Sequence, residues 1–277
     1  MSTLWGSVRA ELTKQVRRPA HWLLLGVAVV LSVTFGYLVP YAGYTGATEG
    51  GPGADRGLAA MLPDQLVGAA LGGTPIFAGA LALVFGVLVS GSDYGWETWK
   101  TVLMQRPSRI TAYAAKLVTL AAGTLLLMLA LLAAAAASSA VVAALEDQAA
   151  QWPSLGELIR GLGAGWLITS MWATMGSALA IVLRAVALPI GLGLVWMLAV
   201  QNLLASLAAP LVDWIAELQK GLPGPNAGSL VAALGGSSAT PGVEELVGSG
   251  QATAVVAAYL LAFCVLGGWL LRRRDIG

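Results

Sequence analysis

Charge is scarce in this sequence, and its scarcity excludes most soluble folds. Only 10% of the 277 residues are Asp, Glu, Lys or Arg, whereas 57% are hydrophobic. Soluble domains usually carry charge on about a quarter of their residues, so a water-soluble fold of this composition could not cover its own surface. The composition therefore predicts a membrane protein.

Cysteine and histidine are almost absent, which removes several kinds of site. The single cysteine, Cys264, excludes a disulfide framework and a cysteine-based metal site. The single histidine, His21, lies at the start of an apolar run, where an interfacial histidine is far commoner than a metal ligand. No GxxxxGK[ST] phosphate-binding loop occurs in the chain. We therefore expect neither a metal site nor catalytic residues.

Six apolar stretches have about the 20 residues that a helix needs to cross a bilayer. They predict spans over residues 22–39, 74–91, 117–145, 161–183, 185–209 and 252–271. Only Arg184 separates the fourth stretch from the fifth. Because one helix of their combined length would overshoot any bilayer, Arg184 predicts a tight hairpin, with Pro189 just inside the next helix.

Basic residues lie mostly on one side of a six-span arrangement. That side carries 12 of the 15 lysines and arginines, namely Arg9, Lys14, Arg17, Arg18, Lys100, Arg106, Arg109, Lys116, Arg184, Arg272, Arg273 and Arg274. The other side carries the remaining three together with ten of the 14 acidic residues. The positive-inside rule then predicts that both termini are cytoplasmic.

The predicted spans contain no ionisable side chain away from their ends. Ion-coupled transporters typically need such groups within the membrane, which disfavours an ion-driven carrier. The strongest polar signals are Gln201 and Asn202 in the fifth span and a set in the fourth that includes Thr169, Ser170 and Thr174. These side chains would either form interhelical hydrogen bonds or line a substrate path.

The connections between spans differ in character. Residues 40–73 are rich in glycine and lack clear periodicity, and residues 210–251 are rich in turn-forming residues but allow short helices. Residues 1–20 instead repeat apolar side chains every four positions, at Leu4, Val8, Leu12 and Val16. Basic residues on the other faces make this segment a predicted interfacial helix at the inner leaflet.

The most chemically mixed stretch is DYGWETWKTVLMQRPSR, residues 93–109, on the basic side between two spans. Asp93 is suited to capping a helix, and Glu97 to its first turn. An apolar face is formed at helical spacing by Trp96, Trp99 and Leu103. Since Pro107 would end the helix, a short amphipathic helix is predicted over residues 93–106. It would either rest among the lipid headgroups or bind a partner.

This stretch, followed by Lys116, resembles the cytoplasmic segment of type-2 permeases of the ATP-binding-cassette (ABC) exporter superfamily. The matching residues are Asp93, Thr98, Trp99, Lys100, Leu103, Pro107, Arg109 and Lys116. The N-terminal ELTKQVRRPAHW and the C-terminal RRRDIG also resemble the corresponding parts of that family. Glu97 departs from the pattern, since the family usually has glycine there.

The resemblance implies an all-α permease whose residues 1–277 form a single transmembrane domain. Such a permease works as a homodimer or heterodimer in the cytoplasmic (inner) membrane of a prokaryote, surrounded by membrane lipid. ATP and Mg²⁺ are expected on separate ABC ATPase subunits, this chain itself is not expected to be an enzyme, and nucleic acid is not an expected partner. The implied coupling helix would bind the ATPase through Asp93, Trp96, Glu97, Thr98, Trp99, Lys100, Leu103 and Arg106.

The cargo is not fixed by these residues. Apolar spans favour an amphipathic small molecule, a peptide or a lipid, and the candidates for its path are Gln201, Asn202, Thr169, Ser170 and Thr174. A non-transporting scaffold or immunity subunit bound to an ATPase would keep the same coupling helix, so the sequence leaves both functions open.

Overall fold

The computed structural model describes residues 2–46, 57–95, 108–204 and 212–273, and the regular elements within these ranges are all helical. Within these ranges, five helices are long and apolar enough to cross a membrane, judged by length and composition. They are α2 (Pro19–Tyr44), α4 (Phe77–Gly95), α5 (Arg109–Leu145), α6 (Leu155–Leu183) and α10 (Ser249–Arg273). The shorter helices are α1 (Ser2–Val16), α3 (Leu66–Leu71), α7 (Ala187–Leu203), α8 (Asp213–Gln219) and α9 (Pro223–Ala232). The predicted all-α class is confirmed to this extent.

Helices α4 and α6 pack closely at the centre of the bundle. Trp172 and Ile168 of α6 are fully enclosed. Two glycines permit the close approach, because a Cβ at Gly86 would lie 1.8 Å from the Ala173 carbonyl oxygen and one at Gly176 would lie 2.1 Å from the Leu83 carbonyl oxygen. Small residues of this kind let neighbouring helices approach backbone to backbone in membrane bundles.

Two long helices begin at polar caps that lie outside the apolar stretches. The Ser108 hydroxyl accepts a hydrogen bond from the Thr111 amide, and α5 starts at Arg109. Ser154 and Glu157 form a capping box that starts α6 at Leu155. The spans predicted over 117–145 and 161–183 therefore begin earlier than the apolar residues indicate. Those predicted over 22–39, 74–91 and 252–271 coincide with α2, α4 and α10 apart from their ends.

The predicted hairpin at Arg184 is confirmed. Arg184 ends α6 in the left-handed conformation, with φ 51° and ψ 36°, and α7 begins at Ala187 with Pro189 in its first turn. α7 packs back onto the bundle, since Gly193 lies against the side chains of Leu83 and Leu179. The fifth predicted span, over 185–209, stays a prediction, because α7 is shorter than the five long helices and residues 205–211 lie outside those described.

Two short helices in the connections are buried against the bundle. Residues 40–73, which lack clear periodicity, nevertheless contain helix: α2 continues to Tyr44, and Leu66 and Leu71 of α3 are 2% and 0% exposed. The stretch GLPGPNAGS contains the start of α9 rather than turns alone. Pro223 occupies its first position, where no amide N–H is needed, and Val231 is fully buried. Tertiary burial thus stabilises a helix that composition disfavours.

The N-terminal helix is shorter than predicted and packs on the bundle. α1 ends at Val16, and Arg18 is extended because it precedes Pro19. Its predicted apolar face is divided: Val8 is only 3% exposed, whereas Leu4 is 41% and Val16 60% exposed. α1 therefore has one side on the protein and another available to its surroundings.

Candidate functional site

Four charged side chains from three helices meet at one end of the bundle. This charge cluster consists of Glu11 and Lys14 on α1, Asp93 in the last turn of α4 and Lys116 near the start of α5. Lys14 Nζ lies 2.8 Å from a Glu11 carboxylate oxygen and 3.0 Å from Asp93 Oδ1. Lys116 Nζ lies 3.2 Å from the other Glu11 oxygen and contacts Asp93 Oδ2. Each lysine therefore contacts both carboxylates.

The cluster is buried on the side that faces the bundle. The side chains of Asp93 and Lys116 are 4% and 3% exposed, that of Glu11 is 14% exposed and that of Lys14 is 29% exposed. Lys116 Nζ also donates to the Val89 carbonyl at 2.9 Å. Buried charges are costly unless they are paired and hydrogen-bonded. Two positive and two negative groups in alternation meet that requirement.

Further hydrogen bonds tie the junction between α1 and α2 to the same end of α4. Arg18 donates to Ser92 Oγ at 2.6 Å and to the Leu88 carbonyl at 3.4 Å. Within α1, Gln15 donates through Nε2 to a carboxylate oxygen of Glu11 at 2.8 Å, and Lys14 contacts Asp93 of α4. The N-terminal helix is thus fixed to the end of α4 by polar contacts on both sides of Val16.

The start of α5 is also held by the C-terminal helix. Arg109 donates to the Leu271 carbonyl at 3.3 Å, and the Tyr113 hydroxyl donates to the Cys264 carbonyl at 2.9 Å. Tyr113 packs in a small apolar cluster with Leu270 and Leu271. The backbone on both sides of residues 96–107 is consequently anchored to other helices.

Most of the predicted coupling helix lies outside the described residues. This holds for Trp96, Glu97, Thr98, Trp99, Lys100, Leu103 and Arg106. The expectation that Asp93 caps a new helix there is wrong, because α4 continues through Asp93 to Gly95. Its carboxylate contacts Lys14 and Lys116 of the same chain, so Asp93 fixes the N-terminal side of residues 96–107 to α1 and α5.

The polar residues predicted in the fourth span are buried inside the bundle. Thr169 and Thr174 each donate to a carbonyl one helical turn earlier in α6, at 2.7 and 2.9 Å. The hydroxyls of Ser170 and Thr124 are 2.8 Å apart and join α6 to α5. All three predicted residues thus make hydrogen bonds within this chain, and their role in a substrate path stays a prediction.

The two amides of α7 point into different surroundings. Gln201 is 4% exposed, and its Oε1 accepts a hydrogen bond of 2.8 Å from the Gly224 amide at the start of α9. Asn202 is exposed and donates to the Leu198 carbonyl at 2.8 Å. The structure therefore does not bring Gln201 and Asn202 together with the fourth-span residues in one polar site, and their cargo role also stays a prediction.

Sequence reasoning missed the part that α1 plays in the charge cluster. Both Glu11 and Lys14 belong to the segment that the sequence predicts to be an interfacial helix, and their spacing of three places them on one helix face. No three His, Cys, Asp or Glu side chains within the described ranges lie close enough to hold a metal ion. The chemistry that the cluster supports is electrostatic attachment of one helix to two others.

The comparisons with known proteins give one family match. No curated protein matches the sequence. Residues 75–277, nearly three quarters of the chain, match a family described as "Protein of unknown function (DUF2705)". That range includes Asp93 and Lys116 of the charge cluster but not Glu11 or Lys14. The chain belongs to the DUF2705 family.

Proposed function

We propose that this chain is the membrane-spanning subunit of an ATP-driven exporter of the ABC type. It would form the translocation path, while separate ATPase subunits would bind ATP and Mg²⁺. The observation that carries the proposal is the charge cluster. It joins Asp93 and Lys116, the first and last residues of the resembling segment, and attaches both to α1.

A coupling segment must be held to the spans at both of its ends. A partner that displaces residues 96–107 can move the spans only if the residues on either side of that segment are held to the spans by direct contacts. Asp93 links one flank to α1 and α5, and Arg109 links the other to α10. A displacement of the segment would therefore reach four helices through short polar contacts, which is a physical route for coupling two distant sites.

The proposal includes six spans, with α7 and the residues after it forming the fifth in chain order. An even number of spans places both termini on one side, and the basic residues select the cytoplasmic side. The charge cluster and residues 96–107 would then face the cytoplasm, where an ATPase could reach them. A second permease copy would complete the path for an amphipathic cargo.

The decisive experiment replaces Trp99, the aromatic residue on the predicted docking face. Truncating a buried aromatic anchor typically costs about 2 kcal/mol or more of binding energy. Trp99→Ala should therefore reduce recovery of the candidate ATPase with the purified chain and lower transport-linked ATP hydrolysis. Trp152→Ala is the matched control, because Trp152 is 53% exposed and belongs to the predicted opposite side.

Three outcomes are informative. Loss of ATPase recovery with Trp99→Ala alone supports docking through the segment. Equal recovery with both variants contradicts the docking surface. Recovery of an ATPase by a chain that moves no cargo in proteoliposomes would instead identify a non-transporting subunit.

A further inference from the structure

An apolar cavity lies between α1 and the spans, and Gln15 in its wall is hydrogen-bonded to Glu11 of the charge cluster. Its volume is about 190 Å³, and its walls come from α1, α2, α4 and α5. Apolar side chains that line it include Leu12, Trp22, Leu25, Phe85 and Leu127. The wall on α5 runs from Thr119 to Leu127, a length of about 12 Å at the rise of an α-helix. A single hydrocarbon chain has a suitable shape for this space.

Two buried polar atoms in the cavity wall have no partner among the described residues. They are Gln15 Oε1 and His21 Nε2. Gln15 is only 6% exposed. A buried acceptor without a hydrogen bond costs about 1–3 kcal/mol, so a native protein leaves one unpaired only for a reason such as a ligand or an ordered water.

Both atoms are hydrogen-bond acceptors. An amide Oε1 can only accept. His21 Nδ1 lies 3.2 Å from the Gln15 backbone carbonyl, and because a carbonyl oxygen only accepts, the ring must donate from Nδ1. In the neutral ring Nε2 is then the acceptor. A ligand that matches this pair must therefore carry O–H or N–H groups.

Positive charge beside the cavity favours an anionic ligand. A groove on α1 shares Leu12 and Val16 with the cavity and is also lined by Arg9 and Arg17. Arginine is suited to binding phosphate. A lipid with a phosphate, hydroxyl donors and an acyl chain would thus be complementary to this region. Its phosphate would match the arginines of the groove, its hydroxyls Gln15 and His21, and its acyl chain the cavity.

We infer that this cavity is a specific site for a hydroxylated anionic phospholipid of the phosphatidylglycerol class. One acyl chain would occupy the cavity, the glycerol hydroxyls would donate to Gln15 Oε1 and His21 Nε2, and the phosphate would lie by Arg9 and Arg17. The lipid would seal the gap between α1 and the spans. This site does not depend on any ATPase or cargo.

The test uses the purified full chain and four lipids with identical acyl chains. Native mass spectrometry would compare phosphatidylglycerol with phosphatidylethanol, which keeps the negative charge but has no hydroxyl donor in its headgroup. Phosphatidylethanolamine and phosphatidylcholine serve as zwitterionic comparisons with and without donors. Because the glycerol headgroup would add two neutral hydrogen bonds, to Gln15 and His21, we expect phosphatidylglycerol to bind roughly fivefold or more tightly than phosphatidylethanol. Equal binding of these two lipids would overturn the inference.

Variants of Gln15 and His21 test whether these two residues cause the preference for phosphatidylglycerol. Gln15→Met with His21→Phe should abolish the preference for phosphatidylglycerol over phosphatidylethanol while leaving both ahead of phosphatidylcholine. Gln201→Leu is the control, because Gln201 is another buried glutamine whose Nε2 has no partner in the described part of the chain. A double variant that keeps the preference would contradict the site.

A second measurement avoids dependence on how well the variants fold. Phosphatidylglycerol with a photoactivatable diazirine at the end of one acyl chain should label the parent protein within residues 81–85 of α4 and 119–127 of α5. Labelling confined to other helices would overturn the assignment even where no variant can be purified.

Discussion

Asp93 and Lys116 contact each other through Oδ2 and Nζ, with side chains that are only 4% and 3% exposed. They are 23 residues apart in the chain, one on each side of residues 96–107. Lys14 and Glu11 complete the charge balance from α1. Because both charges are buried, removing one of them leaves the other without full compensation.

Loss of Lys116 alone should therefore destabilise the protein strongly. Lys116→Met is expected to cost about 3–5 kcal/mol, because Asp93 would keep its buried charge after losing the ammonium group that contacts its Oδ2. The double variant Lys116→Met with Asp93→Leu should cost less than the sum of the single variants, since it leaves the pair of Glu11 and Lys14 in balance. Thermal unfolding in detergent measures these changes.

An exposed ion pair serves as the control for the Lys116 and Asp93 variants. Lys220 and Glu217 lie 2.6 Å apart with side chains 41% and 72% exposed. Lys220→Met should cost no more than about 1 kcal/mol. If Lys116→Met melts at the same temperature as Lys220→Met, the charge cluster does not stabilise the fold.

A methyl group at the α4–α6 contact should disrupt the centre of the bundle. The Cβ of Gly86→Ala would lie 1.8 Å from the Ala173 carbonyl oxygen, so the helices must separate. Overpacking of this kind typically costs about 1–3 kcal/mol or more. Gly163→Ala on α6 is the control, because no atom lies within 4 Å of its new Cβ. Fluorescence-detected size-exclusion chromatography should show loss of monodisperse protein for Gly86→Ala alone, and an unchanged profile would contradict the close contact.

The two amides of α7 should respond differently to removal. Gln201→Leu deletes the acceptor for the Gly224 amide at the start of α9, and a lost cap of this kind costs about 1 kcal/mol. Asn202 is exposed, and Asn202→Leu removes its hydrogen bond to the Leu198 carbonyl of the same helix, so expression and melting should change less than in Gln201→Leu. A change in cargo-stimulated ATP hydrolysis with Asn202→Leu at normal stability would support its predicted place in the path. Normal activity in both variants would remove these amides from the path.

Cysteine labelling tests the proposed orientation. In a Cys264→Ser background, a cysteine at position 217 should react with a membrane-impermeant maleimide in intact cells, because the Glu217 side chain is 72% exposed on the predicted outer side. A cysteine at position 100 should react only after the membrane is permeabilised. Labelling of both positions from outside would contradict the six-span arrangement.

Much of the helical layout follows from local sequence. The apolar stretches that became α2, α4, α5, α6 and α10 are long enough to span a bilayer, and no charged residue interrupts their central parts. The hairpin follows from Arg184 and Pro189, which stop one helix and start the next. These features depend on backbone hydrogen bonds and on transfer of side chains into an apolar solvent, both of which act within one segment.

Residues in the connections were harder to predict. α9 contains two prolines and two glycines, a composition that indicates turns, yet packing buries Ala227 and Val231 completely. α3 is likewise covered by the bundle rather than stabilised by its own propensity. Tertiary burial outweighed local preference in both cases.

The sequence by itself determined the helical class, the approximate bounds of the five long apolar helices in the described ranges and the turn at Arg184. Only the tertiary structure decided that Glu11 and Lys14 meet Asp93 and Lys116, because these contacts span 79 and 105 residues of chain. Nothing local at Lys116 indicates its partner, whereas helix packing brings two more helices to it. Pairing between distant charges is fixed by which helix faces touch, and that choice is made by the fold as a whole.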